Sequence, residues 1–538
     1  MTTTTPSPGT DHVPGTVHLT DLDGTSLAKH AGNTDVLLIP APSKDPEDPL
    51  NWSLKRKRLS TFCTLLYTGL VASAFGATPT IIAPLSRDTG LTPNDLSVAF
   101  GYAFLSFGWG CLIWQPLAIQ YGKRPMYLLS IGGTVAIMVW TAYVKDKSSW
   151  TARSVMQGFF GAPVESLAEI SLTEIWFQHM RGSFVAYYGL FLFGGIYVMT
   201  IISGFIYDGQ GWHWVMYWSA IFNAIGLVFL FLFMEETNYS RGRSDEATES
   251  TIASSSVSTK DEGAKEAKVT FESLAEIPPA KPCLSRLKLW RPADLRKPNR
   301  LMGMMIRPLI FLTYPVVFYS GFSYGAGIIW WNILVNTASA ILSPPPYSWS
   351  PSIVGLSFVP VLLGTILAFF LCGILGDRFI LWMARRNHGI SEPEHRLWIN
   401  VIPIIFVPSS LLLWGVGSSQ HVHWFGLMVA LFCLGIGIVF LLQINISYCL
   451  DSYKDLGAEA LVTVILIRNT MNFGFNYGFS PWMTGMGIKN MFITGAFAGV
   501  AQMATFLIMI RYGKAPRRRW AGQYQRYAEE MVKAGVAA

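Results

Sequence analysis

The sequence predicts an all-α membrane protein with twelve transmembrane helices arranged in two six-helix halves. Three observations lead to this fold class: the apolar composition, a series of apolar runs of similar length, and the distribution of Lys and Arg. Of the 538 residues, 51% are hydrophobic and only 14% are charged, whereas soluble domains carry roughly 25% charged residues. With a mean hydropathy of +0.37, the chain has more apolar surface than a soluble core buries, and we expect lipid to cover it.

The chain divides by composition into bundles, a linker and two tails. Met1 to about Asp48 is rich in Thr, Pro, Asp and Gly, which is typical of a disordered tail and not of a signal or transit peptide. The stretch Ser240–Lys268 is rich in Ser, Thr, Glu and Lys, so it is predicted to be a flexible linker. We therefore expect a cytosolic tail at 1–55, a six-helix bundle at 56–237, a cytosolic linker at 238–302, a second six-helix bundle at 303–511 and a cytosolic tail at 512–538.

Twelve runs are apolar and long enough to cross a bilayer as a helix, which takes about 20 residues. They are Leu59–Leu85, Leu96–Ile119, Pro125–Val144, Trp150–Trp176, Ser183–Tyr207, Val215–Met234, Ile306–Trp331, Ile353–Leu375, Trp398–Val416, Trp424–Cys449, Ala460–Ser480 and Asn490–Ile510.

Lys and Arg orient these spans, because cytosolic loops carry an excess of them. Alternate connections are basic, and the intervening ones carry few or no basic residues. The basic set comprises Lys55–Arg58, Lys123 and Arg124, Arg181, the linker, Arg378, Arg385, Arg386, Arg396, Lys454 and Arg511 to Arg519. This alternation predicts that both termini are cytosolic. Since the basic residues lie in short clusters beside apolar runs, the net charge of +7 does not indicate a nucleic-acid partner.

Two loops in matching positions indicate an internal repeat. Gln115–Pro125 joins the second and third spans, and Gly373–Arg378, followed by Arg385 and Arg386, joins the eighth and ninth. Parallel repeats of this kind are typical of carriers built from two halves.

These loops resemble the Gly-x-Leu-x-Asp-Arg-x-Gly-Arg-Arg pattern of the major facilitator superfamily, and the resemblance implies the major facilitator fold. The second copy keeps the acid as Asp377, followed by Arg378. In the first copy Ile119 stands at the position of the acid and Gln115 at that of the first glycine, while Gly122 remains. By this resemblance Lys123, Arg124, Asp377 and Arg378 form a cytosolic gate.

Further motifs resemble the fungal branch of the drug:proton antiporter family, which includes polyamine and histidinol carriers. Arg153, Gln157 and Gly158 resemble its Arg-x-x-Gln-Gly signature with one extra residue, but Met199-Thr200 replaces its Gly-Pro pair. Fungal-type pieces are Asp48–Ser53, Pro163–Ser166, His179–Gly182, Gly211–Trp214 and Glu392–Leu397. We expect a monomer of the plasma membrane, without cofactor or metal, whose partners are a small-molecule substrate, protons and lipid.

Glu165 is the strongest candidate for a proton-coupling or cation site. An ionisable side chain at membrane depth costs at least about 2.5–3.5 kcal/mol, so such residues usually mark a pathway. Gly158, Gly161, Glu165 and Glu169 share one helical stripe, whose small residues allow a close neighbour. The alternative for Glu165 is a structural ion pair or hydrogen bond. Glu169 and Glu174 are expected at a solvated helix end. Arg153 either assists proton movement at an acid or snorkels to the interface.

Polar residues in the second half are predicted to line a substrate cavity, together with Gln157 of the first half. Arg468, Asn472 and Asn476 recur every four residues of span eleven, and such a stripe either lines a wet cavity or binds helices together. The hydroxyl side chains of span seven indicate an amphipathic pocket or ordinary core packing, and Gln443 and Asn445 of span ten are further cavity or gate candidates. The span-seven set is Tyr314, Tyr319, Ser323 and Tyr324. Four tryptophans at predicted span ends are interpreted as interface anchors: Trp140, Trp150, Trp330 and Trp331.

The predicted function is proton-coupled secondary transport, with efflux of drug-like compounds or secondary metabolites first and uptake of a cationic nutrient such as a polyamine as the alternative. A non-transporting membrane receptor is an alternative of another class. The sequence has no H-E-x-x-H motif and no nucleophile elbow, which argues against an enzyme, and no G-x-x-x-x-G-K-[ST] loop for ATP-driven pumping.

Overall fold

The computed structural model describes residues 14–18, 47–176, 178–238, 301–387, 390–453 and 456–533. The predicted linker at Ser240–Lys268 and the side chains of Arg181 and Asp377 lie outside this description. Almost all of the described chain is helical. The exceptions with regular structure are two antiparallel strands of two residues each, β1 (Val17–His18) and β2 (Ile390–Ser391).

Among the described residues, eight helices precede the predicted linker. They are α1 (Leu54–Gly76), α2 (Ile82–Thr89), α3 (Pro93–Tyr121), α4 (Lys123–Thr141), α5 (Lys147–Gly161), α6 (Pro163–Ile175), α7 (Gln178–Gln210) and α8 (Trp212–Phe233). Side chains cap several of the starts: Thr92 and Asp95 form a capping box at α3, and Asp146 accepts a hydrogen bond from the Ser149 amide at α5.

Nine helices lie in the described part of the chain after the predicted linker. They are α9 (Leu301–Ile310), α10 (Pro315–Leu342), α11 (Pro351–Leu356), α12 (Val359–Arg386), α13 (Val401–Ser419), α14 (Trp424–Ser452), α15 (Gly457–Ala504), α16 (Phe506–Tyr512) and α17 (Lys514–Lys533). The segment Pro393–Asn400 is a 3₁₀ helix that leads into α13.

The described helices account for the predicted twelve spans. Nine helical stretches are long and apolar enough to cross a membrane. One of these runs through α15 and α16, and Gly487 interrupts its helical geometry with φ +73° and ψ 159°, so it supplies two spans. The less apolar α4 and the consecutive helices α5 and α6 supply the remaining two. The all-α membrane fold is therefore confirmed, while the boundaries of the two halves stay a prediction.

Two spans differ from their predicted form. Span four is not one helix, because α5 ends at Gly161 and α6 begins at Pro163, whose ring is well suited to the first helical turn. Glu165 therefore lies in the first turn of α6. Span seven does not end at Trp331, since α10 continues to Leu342.

Helices from before and after the linker pack against each other along two seams, α3 against α15 and α7 against α11 and α12. Glycines permit this approach. A Cβ on Gly108 would lie 2.7 Å from the Asn469 Cβ, and a Cβ on Gly204 would lie 2.3 Å from the Pro351 carbonyl oxygen. Small residues at helix interfaces are the usual means of close packing in membranes.

One end of the bundle, which we call the basic end, is the end at which α3 stops and α15 begins. The Gln115 amide donates to the Ala458 carbonyl across it. Its basic side chains include Lys123, Arg124, Arg307, Arg396 and Arg517. Arg517 of α17 is fully buried and bonds both carboxylate oxygens of Glu394, at 2.9 and 2.5 Å. The segment after the last span is thus a helix packed onto the bundle.

Candidate functional site

A small cavity of about 60 Å³ lies between the helices of the two predicted halves. Helices α1, α3, α6 and α7 line it from one side, and α10 and α15 from the other. Its lining residues are Ala72, Phe75, Phe100, Phe104, Phe107, Val164, Glu165, Leu192, Phe193, Ile196, Tyr324, Ile328, Trp331 and Arg468. A lining of mostly apolar and aromatic side chains with a few polar groups is typical of small-molecule sites.

Glu165 and Arg468 are the charged side chains of the cavity, and they form an ion pair. Only 7% of the Glu165 side chain and 3% of the Arg468 side chain are exposed. Arg468 also donates to the Tyr324 hydroxyl at 2.7 Å and to the Asn469 side-chain oxygen at 3.0 Å. The sequence analysis left two main possibilities for the Glu165 carboxylate, a proton-coupling or cation site and a structural ion pair. In the folded protein its partner is the Arg468 guanidinium of α15.

The local sequence of span four brings the Glu165 carboxylate to this position. A Cβ on Gly158 would lie 2.1 Å from the Ala103 carbonyl oxygen, and one on Gly161 would lie 3.0 Å from the Phe107 ring. Both glycines of the predicted stripe thus allow α3 to approach span four closely. Ala162, which joins α5 to α6, keeps helical geometry (φ −50°, ψ −37°), so the carboxylate of Glu165 follows this junction by three residues.

The aromatic wall is the part of the cavity that the sequence analysis missed. Phe100, Phe104 and Phe107 recur at helical spacing on α3, a signal that apolar packing in a span also produces. Phe107 meets Phe75 of α1 edge to face at 5.3 Å between ring centroids. Only the tertiary arrangement that brings Phe107 to Phe75 turns this ordinary apolar stripe into a cavity wall.

Trp331 belongs to the same wall, and its interpretation as an interface anchor is wrong. Its ring is 5% exposed, and its indole nitrogen donates to the Tyr197 hydroxyl at 3.0 Å. The continuation of α10 to Leu342 places this residue inside the helix and not at its end. Trp150 and Trp330 are likewise buried, whereas Trp140 is 40% exposed.

The asparagines predicted to line the cavity are bonded to helices instead. Asn472 accepts from the Asn332 amide at 2.9 Å, and it donates to the Arg468 carbonyl oxygen at 2.8 Å. Asn476 donates to the Asn472 carbonyl oxygen at 2.8 Å. Neither residue lines the cavity. The contact between Asn332 and Asn472 corresponds to the alternative in which the polar stripe binds helices together, here α10 to α15, while Asn476 bonds within α15.

Arg153 and Gln157 form a separate buried group on α5. The Arg153 guanidinium donates to the Gln157 side-chain oxygen at 2.7 Å and lies 3.8 Å from the centroid of the Trp150 ring. Gln157 in turn donates to the Ala74 carbonyl oxygen at 3.1 Å. Arg153 is 5% exposed, so it does not snorkel. The structure does not bring it against Glu165, whose cationic partner is Arg468.

The other predicted cavity residues lie outside the cavity lining. Tyr314 packs against Trp520 of α17 and Tyr453, Tyr319 packs against Tyr448, and Ser323 accepts from the Gln502 amide at 3.4 Å. On α14, the Asn445 amide donates to the Leu441 carbonyl oxygen at 2.7 Å, and Gln443 is partly buried.

Glu169 was predicted to lie at a solvated helix end, but its side chain is buried. It is only 3% exposed, and its Oε1 atom has no hydrogen-bond partner among the described residues. The prediction was wrong because α6 is packed between α1, α3 and α7 along this face. Glu174, five residues further along α6, pairs with Lys123 at 2.5 Å.

A carboxylate that the sequence analysis missed organises the first predicted gate loop. Glu236, which follows α8, is 4% exposed and accepts from the backbone amides of Lys123 at 3.1 Å and Arg124 at 3.0 Å. It thereby caps the amino end of α4. The Arg124 guanidinium donates to the Phe231 carbonyl oxygen at 2.6 Å. Arg378 of the second gate loop is exposed.

Comparisons with known proteins agree with this architecture. The family model described as "Major Facilitator Superfamily" matches residues 62–458. An uncharacterized MFS-type transporter of Schizosaccharomyces pombe is 28% identical over 96% of this chain and 94% of its own length. Protein HOL1 of Saccharomyces cerevisiae is 28% identical over 95% and 96%, and the MFS-type efflux pump MFS2 of Trichophyton rubrum is 23% identical over 94% and 80%.

A solved structure shows the same fold. The proton:xylose symporter XylE superposes with a TM-score of 0.56 over 85% of this chain and 97% of that one, at 11% sequence identity. The family match, together with relatives named as a transporter and an efflux pump, overturns the alternative of a non-transporting receptor.

Proposed function

Because this chain belongs to the Major Facilitator Superfamily and is a multi-pass membrane transporter of small molecules, we propose that it exports lipophilic aromatic compounds in exchange for protons. The observation that carries this proposal is the cavity. Its walls are mostly aromatic and aliphatic, and its two charged residues, Glu165 and Arg468, neutralise each other. Such a lining favours drug-like compounds and secondary metabolites over strongly hydrated substrates.

The substrate class follows from the chemistry of the wall. Aromatic rings such as Phe107 and Trp331 favour flat apolar ligands, and they attract a cation over the ring face. A polyamine carries several cationic groups, each of which needs an acceptor when it leaves water. Glu165 is the acidic residue of the lining, and Arg468 already occupies it. We therefore place polyamine uptake second.

The coupling mechanism uses competition for the Glu165 carboxylate. A buried carboxylate is tolerated when a cation pairs with it or when it binds a proton. If the pair with Arg468 opens during the transport cycle, protonation of Glu165 becomes the alternative way to remove the buried charge. One carboxyl group thus exchanges a guanidinium for a proton, which links a change of helix packing to proton binding.

The orientation and setting of the protein are part of the proposal. Basic side chains gather at the basic end, which the positive-inside rule assigns to the cytosol. We propose that both termini lie there, that two six-helix halves rock about the cavity, and that the transporter works as a monomer in the plasma membrane.

The test is Glu165→Gln in proteoliposomes that contain the purified protein. Gln has nearly the same shape but binds no proton, so we expect uptake of an aromatic monocationic dye driven by a proton gradient to fall at least tenfold. Dye exchange without a gradient should stay within about threefold. Spermidine is the second probe. Gradient-driven spermidine flux without dye flux would favour the polyamine alternative, and unchanged gradient-driven dye flux in the variant would leave Glu165 a structural residue.

A further inference from the structure

We propose that Glu169 is a second proton site, which accepts the proton from Glu165 and passes it to the basic end. This inference rests on the proposed proton coupling and names a residue for one of its steps. Glu169 does not line the cavity, and its sequence pattern predicted only a solvated helix end. Its position in the folded chain carries the inference.

The first observation is a buried carboxyl group without a cation. Glu169 is 97% buried, since its exposed fraction is 3%. Its Oε1 atom has no hydrogen-bond partner, and no ion pair to Glu169 forms within the part of the chain that the structure describes. An ionised carboxylate in such surroundings is expensive, so the group needs a proton or a partner at some stage of the cycle.

The second observation is the set of titratable groups that interact electrostatically with Glu169. On its own helix it interacts with Glu165, one turn away. Elsewhere among the described residues, Tyr188 of α7, which packs against α6, and Tyr324 of α10 and Cys449 of α14 interact with it. None of these groups is a cation. The guanidinium of Arg468 is already engaged by Glu165, Tyr324 and Asn469.

Charge balance then fixes how many protons the cluster holds. Glu165 and Glu169 provide two carboxyl groups, and Arg468 provides one positive charge. With both carboxyl groups ionised the buried cluster has a net charge of −1, and one bound proton makes it neutral. In the observed pairing Arg468 neutralises Glu165, which leaves Glu169 as the carboxyl group that holds the proton.

The third observation is the order of acids along α6. Glu165 lies at the cavity, Glu169 follows after one turn, and Glu174 pairs with Lys123 at the basic end. With a rise of 1.5 Å per residue, the two steps are about 6 and 7.5 Å along the helix axis. When Arg468 returns to Glu165, the O–H bond on Glu165 breaks and an O–H bond forms on Glu169, directly or through one water molecule. The proton then leaves to water at the basic end.

The experiment compares Glu169→Gln with the wild-type protein in proteoliposomes, using the aromatic monocationic dye. We expect gradient-driven dye flux to fall at least tenfold, while dye exchange without a gradient stays within about threefold. Glu169→Asp keeps a titratable group and should restore part of the driven flux. The matched control is Glu392→Gln, which removes a carboxylate paired with the half-exposed Lys514 on the surface and should leave both activities unchanged.

The outcomes separate this inference from the proposed function. Wild-type flux that ignores the proton gradient would overturn proton coupling itself, and the inference with it. A wild-type protein with gradient-driven flux and a Glu169→Gln variant that retains it would overturn the inference alone. A variant that folds normally, judged by size-exclusion chromatography and its thermal unfolding, but loses exchange and driven flux alike would make Glu169 a packing residue and also overturn it.

Discussion

The two loops that the sequence relates as a repeat differ in the folded protein. In the first copy, α3 ends at Tyr121, the chain turns at Gly122 with φ +110°, and α4 begins at Lys123. In the second copy, α12 runs without a break from Val359 to Arg386, through the whole of the matching segment. One motif thus forms a sharp turn in one half and a continuous helix in the other.

A single position accounts for the difference. When the two copies are matched through Ile119 and Asp377, the position of Gly122 is occupied by Ile380. A φ near +110° is open to glycine but not to a β-branched residue. Ile380 is also buried, at 9% exposed, and so favours a packed helix. The turn residue, more than the acid, decides whether this motif forms a loop.

The acid missing from the first copy is supplied from elsewhere in the chain. Glu236 binds the amides of Lys123 and Arg124, and a Cβ on Gly122 would lie only 2.7 Å from its Oε2 atom. The Asn238 side chain donates to the Ile119 carbonyl oxygen at 3.0 Å. The end of α8 thus completes the first loop, so an apolar residue is tolerated at position 119.

Between the two loops, the largest expected effect is that of Glu236→Gln. The substitution removes a buried charge that caps two backbone amides, so we expect a loss of about 1–3 kcal/mol of folding free energy and a several-fold loss of transport at equal membrane expression. Thermal unfolding in detergent and dye flux measure the two effects. Glu235→Gln is the matched control, because its partly exposed pair with Arg56 should contribute at most about 1 kcal/mol. Equal effects of Glu236→Gln and Glu235→Gln would contradict the conclusion that Glu236 completes the first loop.

The next effect is that of Gly122→Ala. The new Cβ would strain the positive φ and press on the Glu236 carboxylate, and we expect a loss of about 1–3 kcal/mol. In the second copy, Gly376→Ala falls within α12 with no atom within 4 Å of the new Cβ. It should be neutral or stabilising by up to about 1 kcal/mol. Paired unfolding measurements test this, and a destabilised Gly376→Ala would argue against the continuous helix.

The smallest effect is expected for Ile119→Asn. Glu236 already supplies the carboxylate of the first loop, so transport should stay within about twofold of the wild-type rate. We predict that Asp377→Asn in the second copy slows transport several-fold, since a carboxylate can accept stronger, charge-assisted hydrogen bonds than an amide. Transport flux of the two variants, measured at equal surface expression, tests this difference. Equal losses from both substitutions would contradict the asymmetry between the loops.

Much of the candidate site was open to prediction, but not its arrangement. Glu165, Tyr324 and Arg468 were predicted as site residues and line the cavity. Asn472 and Asn476 were predicted with Arg468, but Asn472 bonds α10 to α15 and Asn476 bonds within α15. A polar stripe in a sequence has the same spacing in both cases. Which face of α15 lines the cavity depends on how α15 is rotated about its axis relative to α3 and α10. The spacing of the polar residues does not determine that rotation.

The sequence by itself determined the number of spans, the fold class and the presence of a carboxyl group at membrane depth. These properties depend on local composition, because each spanning segment must be apolar and must pair its own backbone hydrogen-bonding groups within the bilayer. The tertiary structure decided which groups meet. Arg468 reaches Glu165 across 303 residues of sequence, and Glu236 reaches the Lys123 amide across 113. Such contacts arise from the packing of whole helices, and no local pattern specifies them.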